Sequence, residues 1–112
     1  AQATVRNGGF AFGKVFSVCP LNWGADESKG NEIVEKVVDS CMHPLYEVTD
    51  GITTLNYDPE ARGKKIPVSE TFKIMGRAFA HMNRPENADL LAEVQAEVDE
   101  RWARLKARAE IL

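Results

Sequence analysis

Apolar residues cluster early in the chain, in the segment Phe10–Val18, without a clean alternation of apolar and polar positions. A run of this kind is typical of a strand that is buried on both faces of a sheet. Pro20 ends the predicted strand, because its ring removes a ladder N–H and fixes φ. Cys19 is therefore expected on the loop that leaves the strand, where α/β sheets bind their ligands.

The next apolar pattern predicts an amphipathic helix that ends near Met42. Ser28 or Asn31 can cap its N-terminus, and the preceding residues Leu21–Gly30 are expected to form a loop. The apolar residues follow an i, i+1, i+4, i+5, i+8 stripe, which is one face of a helix. These residues are Ile33, Val34, Val37, Val38 and Cys41.

A β-hairpin is predicted after the helix, with strands over Leu45–Val48 and Ile52–Tyr57. The turn Thr49-Asp50-Gly51 contains Asp-Gly, and both of these residues tolerate the positive φ that a tight hairpin turn needs. The basic segment Arg62–Lys65 follows and is expected to be a solvated loop. A weaker alternative is that it docks an acidic electron carrier or a neighbouring subunit.

Two helices are predicted in the last part of the chain. Pro67–Glu70 opens a short one that fades before Asn83, with Phe72, Met75 and Phe79 on one face. Asn87 caps a long one that continues to about Ala109, with Leu91, Val94, Val98, Trp102 and Leu105 at spacings of three and four.

The long helix would measure roughly 33 Å, more than a chain of this size needs for its own core. Its apolar stripe is therefore expected to lie along another chain or domain. The predicted fold class is α/β. We expect one partial domain over residues 1–112, with the strand, loop, helix and hairpin over 1–66 and a C-terminal helical extension over 67–112.

Composition narrows the possible classes of protein. With 112 residues the chain is one domain or less. The net charge of −3 does not support nucleic-acid binding, and no apolar run is long enough for a membrane span or a secretory signal. Ala1–Val5 could be the last turn of a helix that ends at Asn7-Gly8-Gly9, so the domain is expected to be entered midway.

The two cysteines are expected to be reduced, in a cytoplasmic protein. Cys41 lies on the apolar face of its predicted helix and is interpreted as a packed core residue. Cys19 is either a small buried hydrophobe or a ligand thiolate whose surroundings lower its pKa. His43 and His81 each stand alone in their segments, so neither is assigned a catalytic role.

Trp23 is the last candidate residue, and several motifs of known binding and catalytic sites are absent from the sequence. Trp23 either packs within its loop or shields a cofactor from water and so tunes its potential. The sequence contains no Gly-x-Gly-x-x-Gly, no Gly-x-x-x-x-Gly-Lys followed by Ser or Thr, and no Cys-x-x-Cys. No nucleophile has an assembled base, so no catalytic residue is assigned and the segment alone is not expected to hold a complete active site.

From Val15 to about Leu105 the chain resembles the C-terminal part of the beta subunit of 2-oxoacid:ferredoxin oxidoreductases, the pyruvate synthase group. Four stretches carry the resemblance, in the same order and spacing. They are Phe16-Ser17-Val18-Cys19-Pro20 with Trp23, Pro44-Leu45-Tyr46-Glu47-Val48 with Asp50-Gly51, Phe72-Lys73-Ile74-Met75-Gly76-Arg77, and Glu97-Val98-Asp99-Glu100-Arg101-Trp102 through Leu105.

The resemblance implies a role for Cys19 as the fourth ligand of a [4Fe-4S] cluster, with the other three ligands outside this segment. It also implies a thiamine diphosphate-binding domain, whose pyrophosphate and magnesium ligands are likewise outside the segment. The implied reaction is CoA-dependent oxidative decarboxylation of a 2-oxoacid, with electrons passing through [4Fe-4S] clusters. The implied partners are the remainder of the beta subunit, alpha-, gamma- and delta-type subunits, and an electron acceptor.

The substrate and the acceptor stay open at this point. Pyruvate is the default substrate. The family often has Thr-Gly where this chain has Leu21-Asn22, so a branched-chain or aromatic 2-oxoacid such as phenylglyoxylate is an alternative. The acceptor is ferredoxin, or NAD through another subunit. The rival hypothesis is a non-catalytic interaction domain in which Cys19 belongs to the core and the last helix docks a partner.

Overall fold

Helices dominate the structure, a computed structural model that describes residues 8–110. The predicted helical turn at Ala1–Val5 lies outside the described residues. The regular elements are α1 (Pro20–Trp23), α2 (Gly30–Asp39), β1 (Tyr46–Thr49), β2 (Ile52–Leu55), α3 (Val68–Met75) and α4 (Ala88–Glu110), with 3₁₀ turns at Glu27–Lys29, Arg77–Asn83 and Pro85–Asn87. The predicted mixture of a two-stranded hairpin, an amphipathic helix and a long C-terminal helix is confirmed.

The predicted buried strand at Phe10–Val18 is wrong for this structure. The segment is irregular and mostly exposed, with Phe10 91% and Val15 90% accessible to solvent. A buried strand needs neighbouring strands to take up its backbone hydrogen bonds. The hairpin is the only sheet within residues 8–110, and it does not pair with this segment.

The segment from Leu21 to Gly30 is more ordered than the predicted loop. It contains α1 and a 3₁₀ turn, which lead directly into α2. Neither Ser28 nor Asn31 caps the helix: the side chain of Asp26 caps the preceding turn and accepts from the Ser28 backbone N–H at 2.9 Å.

The helix α2 ends at Asp39, earlier than the predicted Met42. The Cys41 N–H donates to the Val38 carbonyl at 3.0 Å, and the Met42 N–H donates to the Val37 carbonyl at 3.2 Å. This pair of bonds is the Schellman arrangement, which satisfies carbonyls at a helix C-terminus. The helix therefore stops through local capping several residues before Pro44.

The hairpin forms where the sequence predicts it. Tyr46 pairs with Leu55 and Thr49 pairs with Ile52 in an antiparallel register. Asp50 and Gly51 have φ values of 52° and 80°, the positive values that a type I′ turn requires at both central positions. The twist of such a turn matches that of the two strands, which explains why this short-range signal is sufficient.

The short helix α3 ends at Gly76, and Phe79 belongs to the following 3₁₀ turn rather than to the same helix. The prediction of one face carrying Phe72, Met75 and Phe79 is therefore only partly correct. The two phenylalanine rings still stack, with centroids 6.1 Å apart. Packing is thus kept although the backbone changes direction between them.

The helix α4 closes over the core of this chain, so the prediction that its apolar stripe lies along another chain or domain is wrong. Val98, Trp102 and Leu105 are buried, and Leu91 and Val94 pack against the buried cluster. The helix contacts β2, α3 and the Arg77–Asn83 turn. The core consists of Ile33, Val37, Cys41, Val68, Phe72, Met75, Met82, Val98, Trp102 and Leu105.

Candidate functional site

Cys19 lies at the surface, immediately before α1. It is exposed and free of any disulfide, and its backbone is extended, with φ −112° and ψ 90°. Within residues 8–110, Cys19 is therefore not part of the buried core. The backbone carbonyl of Cys19 accepts from the Trp23 N–H at 3.0 Å, so the residue forms the first position of the helical turn.

The turn after Cys19 is closed by its own backbone. Pro20 begins α1, where a proline loses no helical hydrogen bond. The carbonyl of Pro20 accepts from Gly24 and also from Ala25, the latter at 2.9 Å. Gly24 has φ +66°, the left-handed conformation that commonly ends helices. Cys19 therefore stands at one end of a compact turn and Gly24 at the other.

Aromatic side chains surround the turn on its inner side. The Trp23 ring meets Phe79 edge-on at 5.4 Å and lies 6.0 Å from Phe16. Phe16 in turn lies 5.2 Å from the His43 ring. Trp23 therefore packs within the fold, as one of its two predicted roles requires, and the turn that carries Cys19 is attached to the domain through aromatic contacts.

His43 is the titratable group in this aromatic cluster. Burial lowers the pKa of its imidazole, and the nearby positive charge of Lys14 lowers it further. Both effects disfavour the charged form of the ring. The shift favours the neutral form of the ring, which suits its tilted contact with Phe16.

Two glycines hold the Cys19 turn against the end of α3. Gly24 and Gly76 both have positive φ, and the Arg77 N–H donates to the Gly24 carbonyl at 3.4 Å. A Cβ atom on Gly76 would collide with the Trp23 carbonyl oxygen and approach the Ala25 nitrogen to 2.9 Å. The backbones touch because neither glycine carries a side chain. The pairing of these two glycines was not predicted.

Cys41 occupies the core, as the sequence predicts. It is 4% exposed, and burial raises the pKa of its thiol to about 11. A protonated, inaccessible thiol is neither a nucleophile nor a metal ligand. The two cysteines of the chain therefore differ in chemistry, and only Cys19 is accessible.

The basic loop is partly engaged rather than wholly solvated. The Arg62 guanidinium lies 4.9 Å from the centroid of the Tyr57 ring. The Lys65 ammonium lies 3.6 Å from Glu60 and 3.4 Å from Asp99. Two of the three basic side chains of this loop thus bind groups of the same chain, which weakens the case for a docking surface there.

Within residues 8–110, Cys19 could supply one of the several donors that a metal cluster needs. Within residues 8–110, no three His, Cys, Asp or Glu side chains lie together in a way that could hold a metal ion. A [4Fe-4S] cluster needs four cysteine ligands. Cys19 has the right chemistry and exposure for one of them, and the others would have to come from elsewhere.

Comparison with known proteins gives several significant matches. The chain is 34% identical over 103 residues to pyruvate synthase subunit PorB of Thermotoga maritima. The aligned region covers 92% of this chain and 31% of the relative. It is 29% identical over 117 aligned positions to the subunit of the same name in Pyrococcus furiosus. This alignment covers 90% of the chain and 34% of the relative.

The sequence is PorB-like. A third relative, the PorB subunit of Methanosarcina barkeri, is 34% identical over 83 residues. These matches support the resemblance to a C-terminal portion of the beta subunit. The PorB-like chain spans about a third of the length of the first relatives it matches. No family model matches the sequence, and no solved structure matches it significantly.

Proposed function

We propose that this chain is part of the thiamine diphosphate-binding beta subunit of a 2-oxoacid oxidoreductase. The similarity to pyruvate synthase PorB over 92% of the chain carries the proposal. In the proposed reaction, a 2-oxoacid loses CO₂, the remaining acyl group passes to the thiol of CoA, and two electrons and one proton are released. Pyruvate is the first candidate substrate because the matched relatives are named pyruvate synthase subunits.

Cys19 is proposed as the fourth ligand of a [4Fe-4S] cluster. Its exposure and its place at the end of a turn support the proposal, since a thiolate must be accessible to reach iron that other residues also bind. The other cysteine of the chain is buried and protonated and is therefore not a candidate. No catalytic residue is assigned to the segment.

Each proposed cofactor supplies a different part of the reaction. Thiamine diphosphate with Mg²⁺ stabilises negative charge at the decarboxylated carbon, and [4Fe-4S] clusters carry single electrons towards the acceptor. The chain's own contribution is to hold Cys19 in place and to pack Trp23 and Phe16 beside the turn, where they exclude water. The acceptor is ferredoxin, with NAD through a further subunit as the alternative.

The partners are proposed to be the remainder of the beta subunit and the alpha-, gamma- and delta-type subunits. Phe10, Val15 and Leu21 are at least 90% exposed, which is costly for apolar side chains in water. The radius of gyration of 16.2 Å exceeds the value of about 13 Å for a compact domain of this length. Both observations support burial of the Phe10–Val18 segment by other parts of an assembly.

The complex is proposed to be cytoplasmic. Both cysteines are free thiols, which is typical of a reducing compartment. Within residues 8–110, no helix has the length and apolar character to cross a membrane. The rival hypothesis, a non-catalytic interaction domain, would account for the exposed apolar residues but not for the similarity to PorB.

Substitution of Cys19 tests the ligand role. In the complex purified without oxygen, we expect Cys19→Ser to lower the iron and sulfide content and to slow pyruvate-dependent reduction of ferredoxin. Cys41→Ser is the matched control, because it changes the other cysteine and is expected to leave the clusters intact. Unchanged iron content, visible absorption and electron transfer in Cys19→Ser would refute the assignment.

Substrate choice needs a separate measurement. The ratio kcat/KM of the wild-type complex should be compared for pyruvate, a branched-chain 2-oxoacid and phenylglyoxylate. We expect the highest value for pyruvate. A higher value for phenylglyoxylate would instead favour the alternative suggested by Leu21-Asn22.

A further inference from the structure

The contact between Gly24 and Gly76 is one of backbone against backbone. Gly76 has φ +130°, and a Cβ atom there would meet the Trp23 carbonyl oxygen, the Ala25 nitrogen at 2.9 Å and the Gly24 carbonyl carbon at 3.0 Å. All three are main-chain atoms of the segment that closes the Cys19 turn. Main-chain atoms cannot rotate away as the end of a flexible side chain can, so any larger residue must displace the turn itself.

The displacement would reach Cys19 through a short and well-bonded path. The Trp23 N–H binds the Cys19 carbonyl at 3.0 Å, and the Ala25 N–H binds the Pro20 carbonyl at 2.9 Å. One helical turn rises about 5.4 Å, so the point of contact and the cysteine are one turn apart. Pro20 fixes φ within that turn, so the turn has little freedom to accommodate a displacement of its backbone without moving Cys19.

The opposite side of the turn is also fixed. Trp23 packs edge-on against Phe79, whose N–H donates to the Gly76 carbonyl at 3.1 Å. Gly76 therefore sets both the backbone distance to the turn and the position of the ring on which Trp23 rests. The two contacts orient the turn from one short segment, Gly76–Phe79.

We infer that Gly76 is a positioning residue for Cys19, which it holds at the surface in a defined orientation through the Gly24 contact. That Cys19 binds iron rests on the proposed function above. The positioning of the thiol by Gly76 does not, since it follows from the backbone contact alone. Properties of the clusters therefore report on iron binding by Cys19, and the reactivity of the Cys19 thiol reports on its positioning by Gly76.

The test uses Gly76→Ala in the full polypeptide with its co-purifying subunits. The matched control is Gly63→Ala, because Gly63 also has a positive φ, +68°, but has no atom within 4 Å of an added Cβ. The control thus places an alanine at positive φ without a collision. Its φ matches the +66° of Gly24, whereas φ 130° and ψ 175° at Gly76 add a larger backbone strain, so the comparison of Gly24→Ala with Gly63→Ala separates contact from strain. The readouts are the electron paramagnetic resonance spectrum and midpoint potential of the reduced clusters, and the alkylation rate of Cys19 after the iron is removed by chelation.

We expect Gly76→Ala to shift the g values and the midpoint potential of one cluster and to change the alkylation rate of Cys19 severalfold. Gly63→Ala should change neither. A folded Gly76→Ala protein with wild-type spectrum, potential and alkylation rate would overturn the inference. Equal effects of both variants would also overturn it, because they would trace the change to strain rather than to the contact.

Gly24→Ala keeps the inference testable if Gly76→Ala does not fold. Its Cβ would lie 2.9 Å from the Arg77 Nε and 3.1 Å from the Arg77 Cβ. Because the Arg77 side chain can move, we expect changes in the same readouts but of smaller size, and their absence would contradict the inference. If Cys19→Ser leaves the iron content unchanged, the proposed function fails, and the alkylation rates alone then decide whether Gly76 positions Cys19.

Discussion

At the scale of single residues, Cys41 combines deep burial with a backbone conformation that favours glycine. Its φ is +66°, and it stands in the Schellman arrangement at the position that glycine most often occupies. For a residue with a Cβ this conformation costs about 1–2 kcal/mol. The side chain is nevertheless only 4% exposed and fills a place in the core.

Substitutions of Cys41 can separate these two contributions to stability. Cys41→Ala removes the buried sulfur but keeps the backbone strain, and we expect it to cost about 1 kcal/mol. Cys41→Gly removes one more carbon but relieves the strain, so its unfolding free energy in urea should be no lower than that of Cys41→Ala. A glycine variant that is clearly the less stable of the two would contradict this expectation and show that loss of the buried Cβ outweighs the relief of strain.

At the scale of elements, the N-terminus of α3 is capped from another helix. Pro67 precedes α3 and offers no side-chain cap. The Val68 N–H instead donates to Oε1 of Gln95 in α4 at 2.9 Å, and Nε2 of Gln95 donates to Asp99 at 2.9 Å. One glutamine therefore joins the start of one helix to the middle of another.

Gln95→Ala should cost about 1 kcal/mol, the usual loss for removing a helix cap. The expected signature is faster hydrogen exchange at the Val68 amide together with a lower urea midpoint. Glu97→Ala is a suitable control, because Glu97 is an exposed residue of the same helix. Protection of Val68 that is equal in Gln95→Ala and in the wild type would contradict the capping role.

The predictability of the elements follows from the range of the interactions that form them. The hairpin and α4 could be predicted because a two-residue turn and a repeated apolar stripe are local signals. The cap before α2 and the end of α3 were misjudged because Asp26 and Gly76 act through turns rather than through periodicity. Of the candidate site, Cys19 was singled out from the sequence, whereas the contact between Gly76 and the Trp23–Ala25 backbone of its turn was not.

At the scale of the whole molecule, a charge network fastens the loop over Asp58–Lys65 to α4. The Lys106 ammonium lies 2.7 Å from Glu60 and 3.5 Å from Asp58, and Lys65 bridges from Glu60 to Asp99. The side-chain hydrogen bond from Lys106 lowers the pKa of Glu60, and the positive charges of Lys106 and Lys65 lower it further. Each exposed pair of this kind contributes at most about 1 kcal/mol.

This network predicts a defined dependence of stability on acid pH. Because the pKa of Glu60 is lowered on folding, its contribution is present above its ordinary pKa of 4.5 and is lost as the pH falls through the lower, folded value. Lys106→Met should reduce the loss of stability over that range, measured by urea unfolding from pH 6 to about 3. Lys64→Met, in the same loop, is the control, and an unchanged acid profile in Lys106→Met would contradict the network.

The sequence by itself determined the features that depend on neighbouring residues. Asp50-Gly51 determined the hairpin because both residues accept positive φ, and the spacing of Val98, Trp102 and Leu105 determined the long helix because one face of it is apolar. Cys19 was chosen as a candidate ligand because the short motif around it resembles one in a known family. These signals are present in any chain that contains the same local pattern.

Only the tertiary structure decided how distant parts meet. Most of the apolar segment Phe10–Val18 is exposed and irregular rather than a buried strand, because a strand forms only where partner strands are available. The stripe of α4 covers this chain's own core, because α3 and β2 bring the complementary apolar surface to it. Gly24 and Gly76 are 52 positions apart, and their contact exists only because the fold brings the two backbones together.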